Sequence, residues 1–251
     1  MEHYATAQQV FAAGLVFARL GAMVMLIPGI GETFIPVRIR LAFSLALALL
    51  LFPVVGGAVP ALPATVSGVA GAVIKETAIG LMIRAILRFF MSSLAAAGEI
   101  ISIQSTLGFA QTANPTQAQP STSLSTFLGL MGLVLIMTSN LHHMFIEAIV
   151  RSYTLFPFTR DLPLSDANAL AIQTVSKSFA LGLQLAAPVV AFSLIFNVAV
   201  GLVGRVMPQF QIFFVASPLM VLTALSIFAL SLGVIGVVWI DRYRDLLALF
   251  T

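Results

Sequence analysis

Apolar residues run along this 251-residue chain in blocks longer than a strand, and the blocks divide into six helical segments. The first covers residues 10–27 and stops at Pro28-Gly29, a helix-ending pair. Its small residues Gly14, Ala18 and Ala22 recur every four positions, a spacing that lets helices pack closely in an apolar medium. The second, residues 39–52, is short for a bilayer, which takes roughly 20 residues. A linker over 53–63, rich in Pro, Gly and Ala, separates it from the third block, residues 64–109. That block exceeds one simple span, so a bend near Gly98 or a division into two pieces is expected. The fourth helix covers 124–153. The fifth starts at Ser165 or Asp166, either of which suits an N-cap, and runs to 206 with a kink at Pro188. Gly204-Arg-Val-Met-Pro208 ends it. The sixth covers 213–240, before the charged tail Asp241-Arg-Tyr-Arg-Asp245.

Composition turns these blocks into a membrane protein. Only 8% of residues are charged and 60% are hydrophobic, too few charges to keep a soluble fold of this size wet. The fold class expected is therefore all-α, a polytopic membrane-type protein of about six long helical segments forming one domain over 1–251. Met1-Glu2-His3-Tyr4 lacks a basic leader, so the first helix reads as retained. There is no cysteine, which excludes disulfides and cysteine-held metals or clusters. The net charge is +3, but the basic residues are dispersed and no run suits nucleic acid. If all six blocks span, Arg151, Arg160, Arg242 and Arg244 fall on one side and Arg38, Arg40 and Arg205 on the other, which fixes no orientation. No phosphate loop, nucleophile elbow or paired-histidine zinc motif occurs, and no catalytic residue or cofactor is expected. His143 and Glu147 are four apart but too few to hold a metal; Glu147 with Arg151 makes a favourable helix pair instead.

Polar groups inside apolar helices carry the remaining information. Counting from Glu76 at about 100° per residue, Arg84, Arg88, Ser92, Glu99, Ser102 and Thr106 fall within a wedge roughly 80° wide. Such a face is either a buried polar seam between helices or the lining of a water-filled passage, with Arg84, Arg88 and Glu99 as its charged members. Gln173, Lys177 and Gln184 share one side of the fifth block, as a solvated helix start would. The segment 106–123 is polar, uncharged and proline-containing between two apolar helices. It reads either as a surface loop or as a mobile constriction in a pore, whose lack of charge would let it leave a pathway without breaking ion pairs.

Asn197-Val-Ala-Val-Gly-Leu-Val-Gly-Arg-Val-Met-Pro-Gln-Phe-Gln-Ile-Phe213 resembles the most distinctive stretch of the FliR family of flagellar export-gate proteins, which has counterparts in virulence type III secretion. Asn197, Gly201, Arg205, Pro208 and Gln209 carry the likeness. Phe17-Ala-Arg19, Pro36-Val-Arg38, Glu76 with Gly80, and Ala97-Gly98-Glu99 leading through Gln104 to Gly108-Phe109 agree in order and spacing over essentially the whole chain. The resemblance implies FliP-like helices over about 1–164 and a FliQ-like hairpin over about 165–251. It implies assembly with FliP-like and FliQ-like membrane proteins, and with other export-apparatus membrane proteins, into a channel for unfolded protein cargo. The setting implied is the bacterial inner membrane, in contact with lipid at the flagellar basal body, with part raised out of the bilayer plane. The family's plug maps to 106–123, with Gly108, Phe109, Asn114, Pro115 and Pro120. Relatives often carry an acidic residue before the loop proline, whereas Asn114 stands there in this chain, so a gating carboxylate does not carry over. Three other readings stand beside this one, the plainest a purely structural membrane scaffold, which would need no wet helix face. A gate subunit of a virulence system shares these features. A small secondary transporter would use Arg84, Arg88 and Glu99 as its substrate site, and predicts paired repeats with broken helices that the sequence does not display.

Overall fold

Long apolar segments that cannot leave backbone groups unpaired in lipid become helices, and the chain does so throughout. The structure, a computed structural model, describes residues 6–24, 35–108, 122–160, 164–207 and 212–248. In order these form α1 (Ala7–Val24), α2 (Val37–Val55), α3 (Val66–Gln104), α4 (Ser123–Thr138), α5 (Leu141–Leu155), α6 (Leu164–Val206) and α7 (Ile212–Leu247), with no strand among the described residues. The stretches Ala7–Val24, Val37–Ala58, Val66–Gln104, Ala167–Val206 and Phe214–Leu247 are long and apolar enough to cross a membrane, and α4 with α5 passes as a sixth when taken as one broken span. The all-α, polytopic expectation is met.

Four boundaries differ from those read off the sequence. The second helix is longer than 39–52: it begins at Val37 behind Pro36 and carries Pro53 in its last turn, and a 3-10 turn over Gly56–Ala58 extends it. α3 neither bends apart nor divides at Gly98; it is one 39-residue helix. The fourth helix is interrupted. Asn140 takes a left-handed backbone (φ 58°), a conformation asparagine tolerates better than most residues, and this separates α4 from α5. The last helix runs on through the charged tail, because Tyr243 stacks on Trp239 one turn earlier and Leu246 and Leu247 are buried beyond it. α6 continues through Pro188, and its first turn takes in Ser165 and Asp166.

The chain folds into two compact units whose segments alternate along the sequence. The first groups Met1–Phe89, Asn140–Val175 and Arg244–Thr251; the second groups Phe90–Ser139 and Ser176–Tyr243.

In the first unit, α1 buries Phe11, Leu15, Val16, Leu20 and Met23, residues three and four apart on one face. Arg19 lies on that same face and is fully buried. A guanidinium cannot give up its charge, so every donor must find a partner. Nε donates to Glu76 Oε2 on α3 at 2.6 Å. The two terminal nitrogens donate to Ser152 O and Phe156 O, each at 2.8 Å. Those carbonyls belong to the last turn of α5 and the residue after it, where the negative end of the helix dipole favours a cation; Ser152 O also accepts from Phe156 N at 2.9 Å. The rings of Tyr153 and Phe158 cover the guanidinium at 4.4 and 5.2 Å from their centroids. Tyr153 Oη donates to Val16 O, and Lys75 Nζ to Phe158 O. Gly80, one turn beyond Glu76, lets α1 come this close: a Cβ there would overlap Arg19 O. At the start of α1, Gln8 pins the 53–63 linker through Pro60 O and the Leu62 amide.

The second unit is organised around an uncharged centre. Trp239 is fully buried, donates from Nε1 to Ser93 Oγ at 3.2 Å, and stacks with Tyr243 at 4.9 Å and 13°. Phe90 packs on both rings. Gly182 on α6 approaches Ser93 O, and Gly132 on α4 meets Leu94 and Trp239. Four helices thus meet at one turn of α3.

Replacing Arg19 by Leu strands the Glu76 carboxylate and takes the guanidinium donors away from Ser152 O and Phe156 O, and should lower stability by about 3–5 kcal/mol. Glu76→Gln keeps an acceptor for Nε and should cost less. Thermal unfolding of the detergent-solubilised protein checks the order; equal losses would show that the Ser152 and Phe156 bonds contribute nothing.

Candidate functional site

The loop between α3 and α4 has both described ends tied to the last turns of α3. At its entry, Ser105 N donates to Ile101 O at 2.9 Å and Thr106 N to Ile103 O at 3.2 Å. Thr106 takes a left-handed backbone (φ 62°), unusual for a β-branched residue, and its buried Oγ1 has no hydrogen-bond partner among the described residues. Gly108 follows close to Ser102. At the exit, Thr122 N donates to Glu99 Oε1 at 2.8 Å, while Thr122 Oγ1 accepts from Ser125 N at 3.2 Å and caps α4. Gly98 makes this possible: a Cβ there would overlap the backbone of Ser125, so the start of α4 lies directly on α3. Gly98 therefore serves close approach and is not a break. Phe109, Asn114, Pro115 and Pro120 lie outside the described residues.

Glu99 thereby has a defined task. The loop carries no charge of its own, but a carboxylate outside it holds its exit. Of the other members of the polar wedge, Ser102 is buried, and in the first unit Arg84 is half-buried and Arg88 exposed. Glu76 is committed to Arg19.

Within the second unit, Gln104 at the end of α3 meets the family-like stretch of α6. Gln104, Val190, Ser193, Leu194, Asn197 and Val198 line an open cleft of about 360 Å³. Ser193 Oγ lies 2.9 Å from Gln104 Oε1 and from Val190 O. The cleft offers amides and a hydroxyl among apolar walls, chemistry that can hydrogen-bond a neighbouring polypeptide without a charge. Asn197, Gly201 and Arg205 are exposed; Pro208 and Gln209 lie outside the described residues. Around it, Leu194, Ile195, Val198 and Leu202 are also exposed.

Glu147 pairs with Arg151 at 3.3 Å, as their spacing suggested. The His142 and His143 rings lie 4.2 Å apart, and no three metal-capable side chains converge among the described residues. Sequence reasoning noticed Arg19 and, apart from it, Glu76 with Gly80, but did not join them. Part of the signal was present: Arg19 is the lone charge of α1 and requires a partner from elsewhere, whereas α3 carries five charged residues and does not single out Glu76.

If Glu99 holds the loop exit, Glu99→Ala should accelerate amide exchange over 122–126 about tenfold or more, as expected for losing a charge-assisted bond of about 1.5–3 kcal/mol. Glu99→Gln, which keeps an acceptor, should fall between. Hydrogen–deuterium exchange read by mass spectrometry makes the comparison, and unchanged exchange in Glu99→Ala would remove Glu99 from this role.

Known proteins resemble this chain along nearly all of its length. Residues 10–246 match the family described as bacterial export proteins, family 1. The chain is 61% identical over 251 residues, the whole of both proteins, to the flagellar biosynthetic protein FliR of Caulobacter vibrioides. It is 27% identical over 245 residues to FliR of Bacillus subtilis, with 94% of each covered. With FliR of Escherichia coli it shares 26% identity over 213 residues, 84% of this chain and 80% of that protein. The polytopic helical fold and the family match agree, and the chain belongs to the bacterial export proteins, family 1.

Proposed function

We propose that this chain is a membrane-embedded subunit of the flagellar protein export apparatus. The observation that carries the reading is 61% identity over the full length to a flagellar biosynthetic protein FliR. The relatives compared above are flagellar, which favours the flagellar over the virulence branch. Within that apparatus the chain joins FliP-like and FliQ-like membrane proteins in a hetero-oligomeric channel for unfolded flagellar proteins. Residues 1–164 supply the FliP-like part and 165–251 the FliQ-like hairpin. The assembly sits in the bacterial inner membrane at the basal body, partly raised from the bilayer plane, and its role is conduction, with no reaction catalysed. Large exposed apolar side chains on α2, α6 and α7, such as Leu50, Val54, Ile195 and Leu230, support a chain covered on its outer faces by lipid and by apolar partners.

Residues 106–123 act as the plug of this channel. Its tied ends support this: Thr106 N is bound to Ile103 O and Thr122 N to Glu99 Oε1, so both described ends of the segment lie at the last turns of α3, as a closure that must return to its seat requires. The wedge residues Arg84, Arg88 and Glu99 and the α6 stretch around Asn197 then belong to the surfaces of the assembly.

Co-expressed with FliP-like and FliQ-like proteins, the chain should purify with both. A variant lacking 111–121 should assemble in wild-type yield yet leak small ions or solutes when reconstituted into vesicles. Recovery of the chain alone as a well-behaved monomer would count against the assembly. A deletion variant that assembles and leaks no more than wild type would make the segment a surface connection.

A further inference from the structure

The outward face of α3 carries an uncharged stripe that ends in two arginines. From Val66 to Leu81 the exposed residues are Val66, Ser67, Ala70, Gly71, Val73, Ile74 and Leu81, none of them ionisable. The two charges in this stretch turn elsewhere: Glu76 is buried against Arg19, and Lys75 reaches Phe158 O. At about 100° per residue, Val66, Ala70, Val73, Ile74, Leu81, Arg84 and Arg88 share an arc of about 100°. At ~1.5 Å per residue, Val66 and Arg84 are about 27 Å apart along the axis, close to the roughly 30 Å hydrocarbon thickness of a bilayer.

Arg84 and Arg88 are four apart on one helix, so two like charges lie side by side. Arg88 is exposed and has no ion-pair or hydrogen-bond partner among the described residues. Arg84 is half-buried, and its Nε is buried with no hydrogen-bond partner among the described residues. A donor withdrawn from water and a repelling pair at the end of an apolar stripe together call for an anion with several acceptor oxygens. A phosphate diester meets that requirement, since guanidinium groups bind it through paired hydrogen bonds. Long basic side chains at the end of an apolar span also reach toward the headgroup layer.

We propose that Arg84 and Arg88 form a binding site for the phosphate of a phospholipid headgroup, and that the polar boundary of the bilayer meets α3 at this turn. Val66–Leu81 then faces hydrocarbon. This goes beyond the export reading and does not depend on the channel's composition.

The test uses the full chain purified from membranes with the partners it retains. Phosphatidylglycerol is titrated into the detergent-solubilised protein, with bound lipid read by native mass spectrometry. Arg88→Gln should weaken binding about fivefold and the double variant Arg84→Gln/Arg88→Gln about thirtyfold, while Arg88→Lys should stay near wild type. If the double variant fails to assemble, Arg88→Gln decides, since Arg88 is exposed. Millimolar inorganic phosphate should neither bind comparably nor displace the lipid. Wild-type lipid binding by Arg88→Gln would overturn the proposal, as would free phosphate binding as tightly as lipid. Loss of partner proteins by Arg88→Gln with lipid binding unchanged would assign the arginines to a partner's carboxylate and overturn it as well.

Discussion

A guanidinium cannot discard its charge, and in the first unit that fact organises everything around it. Arg19 sits inside the apolar face of α1 with no exposure. Its charge is tolerable there only because a carboxylate from α3 and two carbonyls from the end of α5 meet its three nitrogens in one place. Apolar packing fixes contact but slides easily along a helix; this constellation does not slide. It sets the height of α1 on α3 to within one turn, and Gly80 sets how near the two backbones come. Tyr153 serves twice, as a ring beneath the cation and as a donor to Val16 O on the same helix as Arg19.

The second unit meets the same demand for register without charge. Trp239 has one donor, and Ser93 receives it. Around that bond the chain uses size: rings at 90, 239 and 243, and glycines at 98, 132 and 182 where neighbouring helices touch. Glu99, the carboxylate near this centre, is directed to the backbone of the loop exit. The cleft at Gln104, Ser193 and Asn197 continues the same uncharged chemistry at the surface, suited to a neighbour that must fit closely without being held by ion pairs.

Much of the architecture was legible because apolar runs of this length allow little else, and the order of helices follows directly from them. What was not legible depends on contacts distant in sequence or on single backbone angles. The break at Asn140 lies in Thr138-Ser139-Asn140 with His142-His143 just beyond, a polar interruption that reading 124–153 as one helix passed over, and the sequence does not say that one residue there turns left-handed. Gly98 looked like a place for α3 to bend because glycine weakens helices, whereas its role comes from Ser125, 27 positions on. Arg19 and Glu76 are 57 residues apart, and helical phase says which face each occupies but not which helix answers it. Of the site residues, Glu99 could be placed on a polar face but not assigned to Thr122. The α6 residues Asn197, Gly201 and Arg205 were picked out by likeness alone, and only the cleft with Gln104 gives one of them a physical setting.

The partners of Arg19 also arrive late. Glu76 follows it by 57 residues, but Ser152 and Phe156 follow by 133 and 137. At a synthesis rate of roughly 5–20 residues per second, the α5 carbonyls emerge about 7–27 s after the guanidinium. Through that interval α1 carries a cation only partly answered, and it cannot settle fully into an apolar surrounding. The first unit also takes in Arg244–Thr251, so its segments are made far apart in time. A nascent chain stalled between α3 and α5 therefore carries an Arg19 with Glu76 in reach but without the Ser152 and Phe156 acceptors.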